Sequence, residues 1–131
     1  GLWVSVADLS GRGNLDVVLC ERGIRTFEPA TRNTLDISAV PVVQATSHLP
    51  VIIDPSHAAG RKDLIVPLSR AGIAVGADGV IVDVHPHPET ALVDGAQALV
   101  DSDLRALAQA VRQLPGMVGR VDASQWPAPA R

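Results

Sequence analysis

Three short apolar runs, each followed by a segment of helical periodicity, set the strongest limit on what this chain can fold into. The runs are 15–20 (LDVVLC), 51–54 (VIID) and 80–85 (VIVDVH). They are near-continuously apolar rather than alternating, the pattern of strands buried on both faces. Between them, 34–46 carries Leu35, Ala39, Val42 and Val43 at helical spacing, with Pro41 either kinking that helix or dividing it. Leu64, Ile65, Leu68 and Ile73 stripe a helix over 61–75. A last helix, capped by Asp101 or Ser102, carries Leu104, Leu107, Val111 and Leu114 and closes at Pro115 and Gly116. Leu2, Val6 and Leu9 read as the tail of an earlier helix that stops at Gly11. Strands alternating with helices predict an α/β fold with a parallel sheet.

In such folds chemistry gathers beyond the carboxyl ends of the strands. The polar residues sit on that side. Glu21, Arg22 and Arg25 follow the first run, Asp54, Ser56 and His57 the second, and Asp83, His85, His87 and Asp94 the third. The opposite turns, 11–14 and 76–79, are short and glycine-rich. A neutral histidine just past a buried strand can ligate a divalent metal, act as a base, or simply hold a loop backbone. Asp83 and His85 share a strand face by the two-residue period, and an acid in an apolar strand needs a partner, either a metal or an arginine from a neighbouring strand. His85 and His87 suggest a metallohydrolase pair, but Pro86 and Pro88 break the strand there and leave His87 as a solvated loop residue. Arg22 has the fork that suits phosphate or carboxylate, Arg25 is better read as pairing with Glu21 or Glu28, and Arg32 and Arg61 are weaker anion candidates. Cys20, ending a strand, reads as a small core residue.

Composition narrows the function classes. A net charge of -3 gives no electrostatic case for nucleic acid or an anionic membrane, and 2% aromatics leave no stacking platform for single strands. One cysteine excludes an internal disulfide framework, no apolar run is long enough to span a bilayer, and no signal pattern opens the chain. A reduced, cytoplasmic protein is the expectation.

Two longer stretches carry a family resemblance. Residues 19–28 (LCERGIRTFE) and 30–41 (ATRNTLDISAVP), followed in order by Asp54-Pro55-Ser56-His57, Arg61, Asp83-Val84-His85-Pro86 and Asp94-Gly95, closely resemble the DAHP synthases (3-deoxy-7-phosphoheptulonate synthases), in the branch related to KDO-phosphate synthase. The resemblance covers about 15–99. It implies a (β/α)8 barrel that condenses phosphoenolpyruvate with erythrose 4-phosphate, the first step of the shikimate pathway, with a divalent metal of the Mn, Fe, Co or Zn class. By it, Arg22 grips the phosphate of phosphoenolpyruvate, His57 and Asp94 are metal ligands with catalytic roles, and Asp83 stands where the family usually carries a glutamate ligand. It also implies that a cysteine ligand, a substrate lysine and a Lys-Pro-Arg-Thr loop lie upstream of this chain. At 131 residues, against roughly 250 for a full barrel, the chain is then expected to be the C-terminal part, carrying strands six to eight in 1–120 with a flexible tail at 121–131. A homo-oligomer, dimer or tetramer, is implied at full length. The alternatives are a KDO-phosphate synthase using arabinose 5-phosphate, or an inert fragment that needs a partner.

Overall fold

The computed structural model describes residues 16–119. The helix expected near residues 2–9 and the tail at 121–131 lie outside the described residues. Within them, the order is β1 (Leu19–Glu21), α1 (Ala39–Thr46), β2 (Val51–Ile53), α2 (Pro55–Ala59), α3 (Lys62–Val75), β3 (Gly79–Val80) and α4 (Asp101–Met117). Single 3₁₀ turns at Pro88–Thr90 and Gly95–Gln97 sit between β3 and α4. All strand pairings are parallel, and the spatial order β1-β2-β3 follows the sequence. Sequential order with no reversal is the arrangement of a barrel wall rather than of a doubly wound sheet.

The register explains where the core lies. Leu19 pairs with Val51, Glu21 with Ile53, and Ile53 with Val80. Val51 and Ile53 point to one side and are buried with Val40 and Ala77, with Leu19, Leu35, Val43 and Val75 packed around them. The other face of the sheet carries Cys20, Ile52 and Gly79 in one row. Cys20 is exposed, so the expectation of a core cysteine is corrected: the described helices cover one face of β1, and Cys20 points to the other. A second cluster, Ala59, Ile65, Leu99 and Leu107, fastens α3 to α4 and to the chain after β3.

Among the described residues the first strand pairs only over Leu19–Glu21 rather than across 15–20, and four further features differ from the sequence expectation, each for a local reason. Thr34 does not start a helix; it exchanges two backbone hydrogen bonds with Ile24, and the helix begins at Ala39. Pro41 therefore falls in the first turn of α1, where a missing N–H costs nothing, and it neither kinks nor divides the helix. Residues 55–59, expected as loop, form the single-turn helix α2, opened by Pro55 behind the side chain of Asp54. The third strand was expected to reach His85, but its ladder ends at Val80 because β2 turns into α2 at Pro55. The Asp83 N–H donates instead to Ser56 Oγ at 3.1 Å, and Val84 bridges to Leu99. Finally, α4 is not capped by Asp101 or Ser102; Asp103 accepts from the Val100 N–H at 3.3 Å and takes Lys62 at 3.1 Å.

Gly72 marks the tightest helix-to-sheet approach. A Cβ there would stand 2.0 Å from Ile53 Cδ1, and Ile53 is fully buried. Gly72→Ala in the 131-residue chain should lower unfolding stability by about 1–3 kcal/mol, the usual cost of overpacking a core. Urea denaturation checks this; an unchanged midpoint would show that α3 and β2 are not in this contact.

Candidate metal centre

The site is built at the carboxyl ends of the strands, on the face the helices leave open. Asp54 follows β2 directly and is 4% exposed. It caps α2 by accepting from the His57 N–H at 3.0 Å through Oδ1. Its Oδ2 stands 2.8 Å from His57 Nδ1 and accepts from Arg22 Nε at 3.2 Å. A carboxylate only accepts, so Nδ1 carries a proton, and in the neutral imidazole the lone pair lies on Nε2. Nε2 is the atom that can bind a metal, and it faces two further carboxylates. Asp83 Oδ2 and Asp94 Oδ2 are each 3.8 Å from it.

The two acids are held by different means. Asp83 is locked through its backbone: its N–H reaches Ser56 Oγ, and its carbonyl accepts from the Leu99 N–H at 2.9 Å. Asp94 adopts a left-handed conformation at φ 56°, a strained state for a non-glycine residue of the kind that clusters at functional sites. The following Gly95 passes so close to the Pro88–Thr90 turn that a Cβ would lie 2.3 Å from the Pro88 carbonyl oxygen. Only glycine lets the loop return there. One ligating atom from each of His57, Asp83 and Asp94 falls within 4.8 Å of the others. Two ligands with bonds of about 2.1 Å to a tetrahedral ion lie roughly 3.4 Å apart, within a few tenths of an ångström of the two distances from His57 Nε2 to the acids. The donor set therefore fits a divalent ion.

The remaining polar residues named from sequence separate cleanly. Arg22 comes to the site through Asp54, with its side chain 62% exposed. Arg32 reaches Asp94 Oδ1 at 3.9 Å. Arg61 is occupied by Asp63 and the Ala30 carbonyl, and it lines a cavity of about 580 Å³ that includes none of the three candidate ligands. His85 Nδ1 accepts from the His87 N–H, and the exposed His87 ring lies 3.5 Å from Glu89. Neither belongs to the cluster, which removes the geometric basis of a His-x-His metallohydrolase. Among the described residues Asp83 pairs with no arginine; its side-chain partner is Gln97, whose Nε2 donates to it at 2.8 Å. Glu21 does not pair with an arginine, because its Oε1 accepts from the backbone N–H groups of Gly23 and Asp36.

Residues 4–119 match the DAHP synthetase I family. The chain belongs to that family. It is 56% identical over 116 residues to the phospho-2-dehydro-3-deoxyheptonate aldolase of Thermotoga maritima, covering 88% of this chain and 34% of that protein. It superposes on a truncated form of 3-deoxy-D-arabino-heptulosonate 7-phosphate synthase from the same organism with a TM-score of 0.82, over 87% of this chain and 44% of that one. A 2-dehydro-3-deoxyphosphooctonate aldolase of Pelobacter propionicus is 31% identical over 123 residues, 86% of this chain and 44% of that protein. The chain thus spans about a third to less than half of these relatives. It has the α/β fold of a partial barrel of this family, as the sequence implied. Among the described residues no helix is long and apolar enough to cross a membrane.

Two residues that touch the candidate ligands, Asp54 and Gln97, were not singled out as site residues from sequence. Asp54 was visible as an acid just ahead of His57, but its use as the histidine's partner needed the helical turn of α2. Gln97 left no signal, since it lies in the otherwise apolar run AQALV.

Cys20 reports on this environment. Although the residue is exposed, neighbouring groups partly shield its thiol from water and push it up to about 11, with Asp54 and Glu21 adding to the shift and Arg22 opposing it. The raised value means that the stabilising effect of the protonated thiol is complete below 9.0 and is lost as pH rises through about 11. At pH 8 its alkylation by iodoacetamide should run on the order of 10²-fold slower than that of an unperturbed thiol with pKa about 8.5. Reaction at the free-thiol rate would show that the Cys20 thiol is not shielded from water in this environment.

Proposed function

We propose that this chain is the C-terminal part of a 3-deoxy-7-phosphoheptulonate synthase, supplying three ligands of its metal and one anchor for phosphoenolpyruvate. The reading is carried by the convergence of His57, Asp83 and Asp94 at the carboxyl ends of parallel strands. It is supported by the 56% identity to a phospho-2-dehydro-3-deoxyheptonate aldolase. An imidazole with two carboxylates suits an ion of the Mn, Fe, Co or Zn class, and these three residues would hold it. When bound, such an ion supplies Lewis-acid polarisation of the aldehyde oxygen of erythrose 4-phosphate.

The chain's own residues do the rest of this half of the work. Asp54 keeps the proton on His57 Nδ1, so Nε2 stays available as a donor. Arg22 spends Nε on Asp54, and the other N–H groups of its fork meet the phosphate of phosphoenolpyruvate. The methylene carbon of phosphoenolpyruvate then bonds to the aldehyde carbon, water adds at the carbon bearing the phosphate ester oxygen, and inorganic phosphate leaves. Holding both substrates in this alignment supplies much of the rate. The chain covers 34% of the Thermotoga relative. The fourth ligand, a cysteine, and the site for the second substrate's phosphate would come from the rest of the barrel.

The test joins this chain to the complementary portion of the Thermotoga maritima relative. The assembled barrel should consume phosphoenolpyruvate only with erythrose 4-phosphate and Mn²⁺, while the 131-residue chain alone should not turn over. His57→Ala should lower kcat/KM by on the order of 10²-fold or more. Metal-independent turnover, or full activity in His57→Ala, would contradict the reading. Preference for arabinose 5-phosphate would move it to the phosphooctonate branch.

A further inference from the structure

We propose that Gln97 is a positioning residue for this metal centre, tying the carboxylates of Asp83 and Asp94 to one amide so that both present an oxygen to His57 Nε2. The inference rests on the reading of His57, Asp83 and Asp94 as ligands. Gln97 is fully buried on the 3₁₀ turn Gly95–Gln97. Its Nε2 donates to Asp83 Oδ2 at 2.8 Å and to Asp94 Oδ1 at 3.1 Å. Two carboxylates cannot bond each other without a proton between them, and they repel. A neutral amide with two N–H groups brings them together without adding a charge.

The orientation of that amide is fixed by chemistry. Both partners only accept, so the nitrogen faces them and Oε1 is turned away. Among the described residues Oε1 is buried with no hydrogen-bond partner. An orphaned acceptor disfavours glutamine at a fully buried position among Ala96, Ala98 and Leu99, where an apolar side chain would carry no such penalty. What offsets it is the pair of charge-assisted bonds on the nitrogen. They act unequally on the two acids. Asp94 divides its oxygens, giving Oδ1 to Gln97 and Oδ2 to the His57 side. Asp83 offers the same Oδ2 to both. The Gln97 segment also holds Asp83 by its backbone, through the Leu99 N–H. Residues 94–99 therefore act as one clamp on both acids.

Gln97→Met keeps the length of the side chain and removes both donors. In the barrel assembled with the complementary portion of the Thermotoga maritima relative, Mn²⁺ affinity read by electron paramagnetic resonance should fall about 10–100-fold. The line shape of the bound ion should change, and the metal-free unfolding midpoint should hold or rise. Gln97→Asn, which keeps the amide but draws it back by one methylene, should lie between the two. In the unsubstituted assembled barrel, ¹⁵N NMR should show both Gln97 side-chain N–H protons shifting when Zn²⁺ is added, a readout that needs no variant to fold. Unchanged Mn²⁺ affinity in Gln97→Met, loss of affinity only in step with loss of folded chain, or Gln97 protons indifferent to Zn²⁺ would each overturn the proposal while leaving the metal site standing. An assembled barrel with Gln97 unsubstituted that binds neither ion overturns the metal site itself, and this inference with it.

Discussion

The buried carboxylate of Asp54 is the interaction on which the site depends. Placed at the end of β2, it accepts from the His57 backbone N–H, meets the His57 ring at Nδ1, and accepts from Arg22 Nε. One acid thereby starts a helix, sets a tautomer and links the arginine after β1 to the histidine after β2. Remove it and α2 loses its cap, while His57 is free to turn Nδ1 instead of Nε2 toward the acids. Its burial would be costly without partners, and it has three donors.

The sheet determines why those residues meet. Side chains alternate across a strand, and the parity that buries Leu19, Val51, Ile53 and Val80 beneath the helices sends Cys20, Ile52 and Gly79 to the other face. Carried past the strand ends, the same parity brings Arg22, Asp54 and Asp83 to that second face. A row of small or apolar residues thus gives way to a polar layer at the carboxyl ends, which is how a barrel interior meets its active face. The ladder stops where the site begins: Pro55 ends β2, Ser56 supplies the acceptor that a longer strand would have given Asp83, and Leu99 takes the other side.

Much of this was readable in the sequence, for identifiable reasons. The three apolar runs and the α3 and α4 stripes follow from periodicity, His57 and Asp83 stand out by their places after and within strands, and the role of Asp94 follows from the family resemblance. The boundaries that differed were set by contacts between residues distant along the chain. Thr34 is claimed by Ile24, and Asp83 by Ser56 across 27 positions. Cys20 looked like core because an apolar run does not say which of its faces the helices cover. Gln97 was invisible because a glutamine between alanines has no meaning until the fold places two acids over its nitrogen.

The central claim is that Asp54 holds His57 with Nε2 directed at Asp83 and Asp94 as a metal donor. Long-range ¹H–¹⁵N NMR of the four histidines, recorded before and after adding Cd²⁺, tests it most directly. The account predicts that His57 carries its proton on Nδ1 throughout and that its Nε2 alone shifts strongly and couples to ¹¹³Cd, with His48, His85 and His87 unmoved. Coupling through His57 Nδ1, or to His85 or His87 in its place, would contradict it.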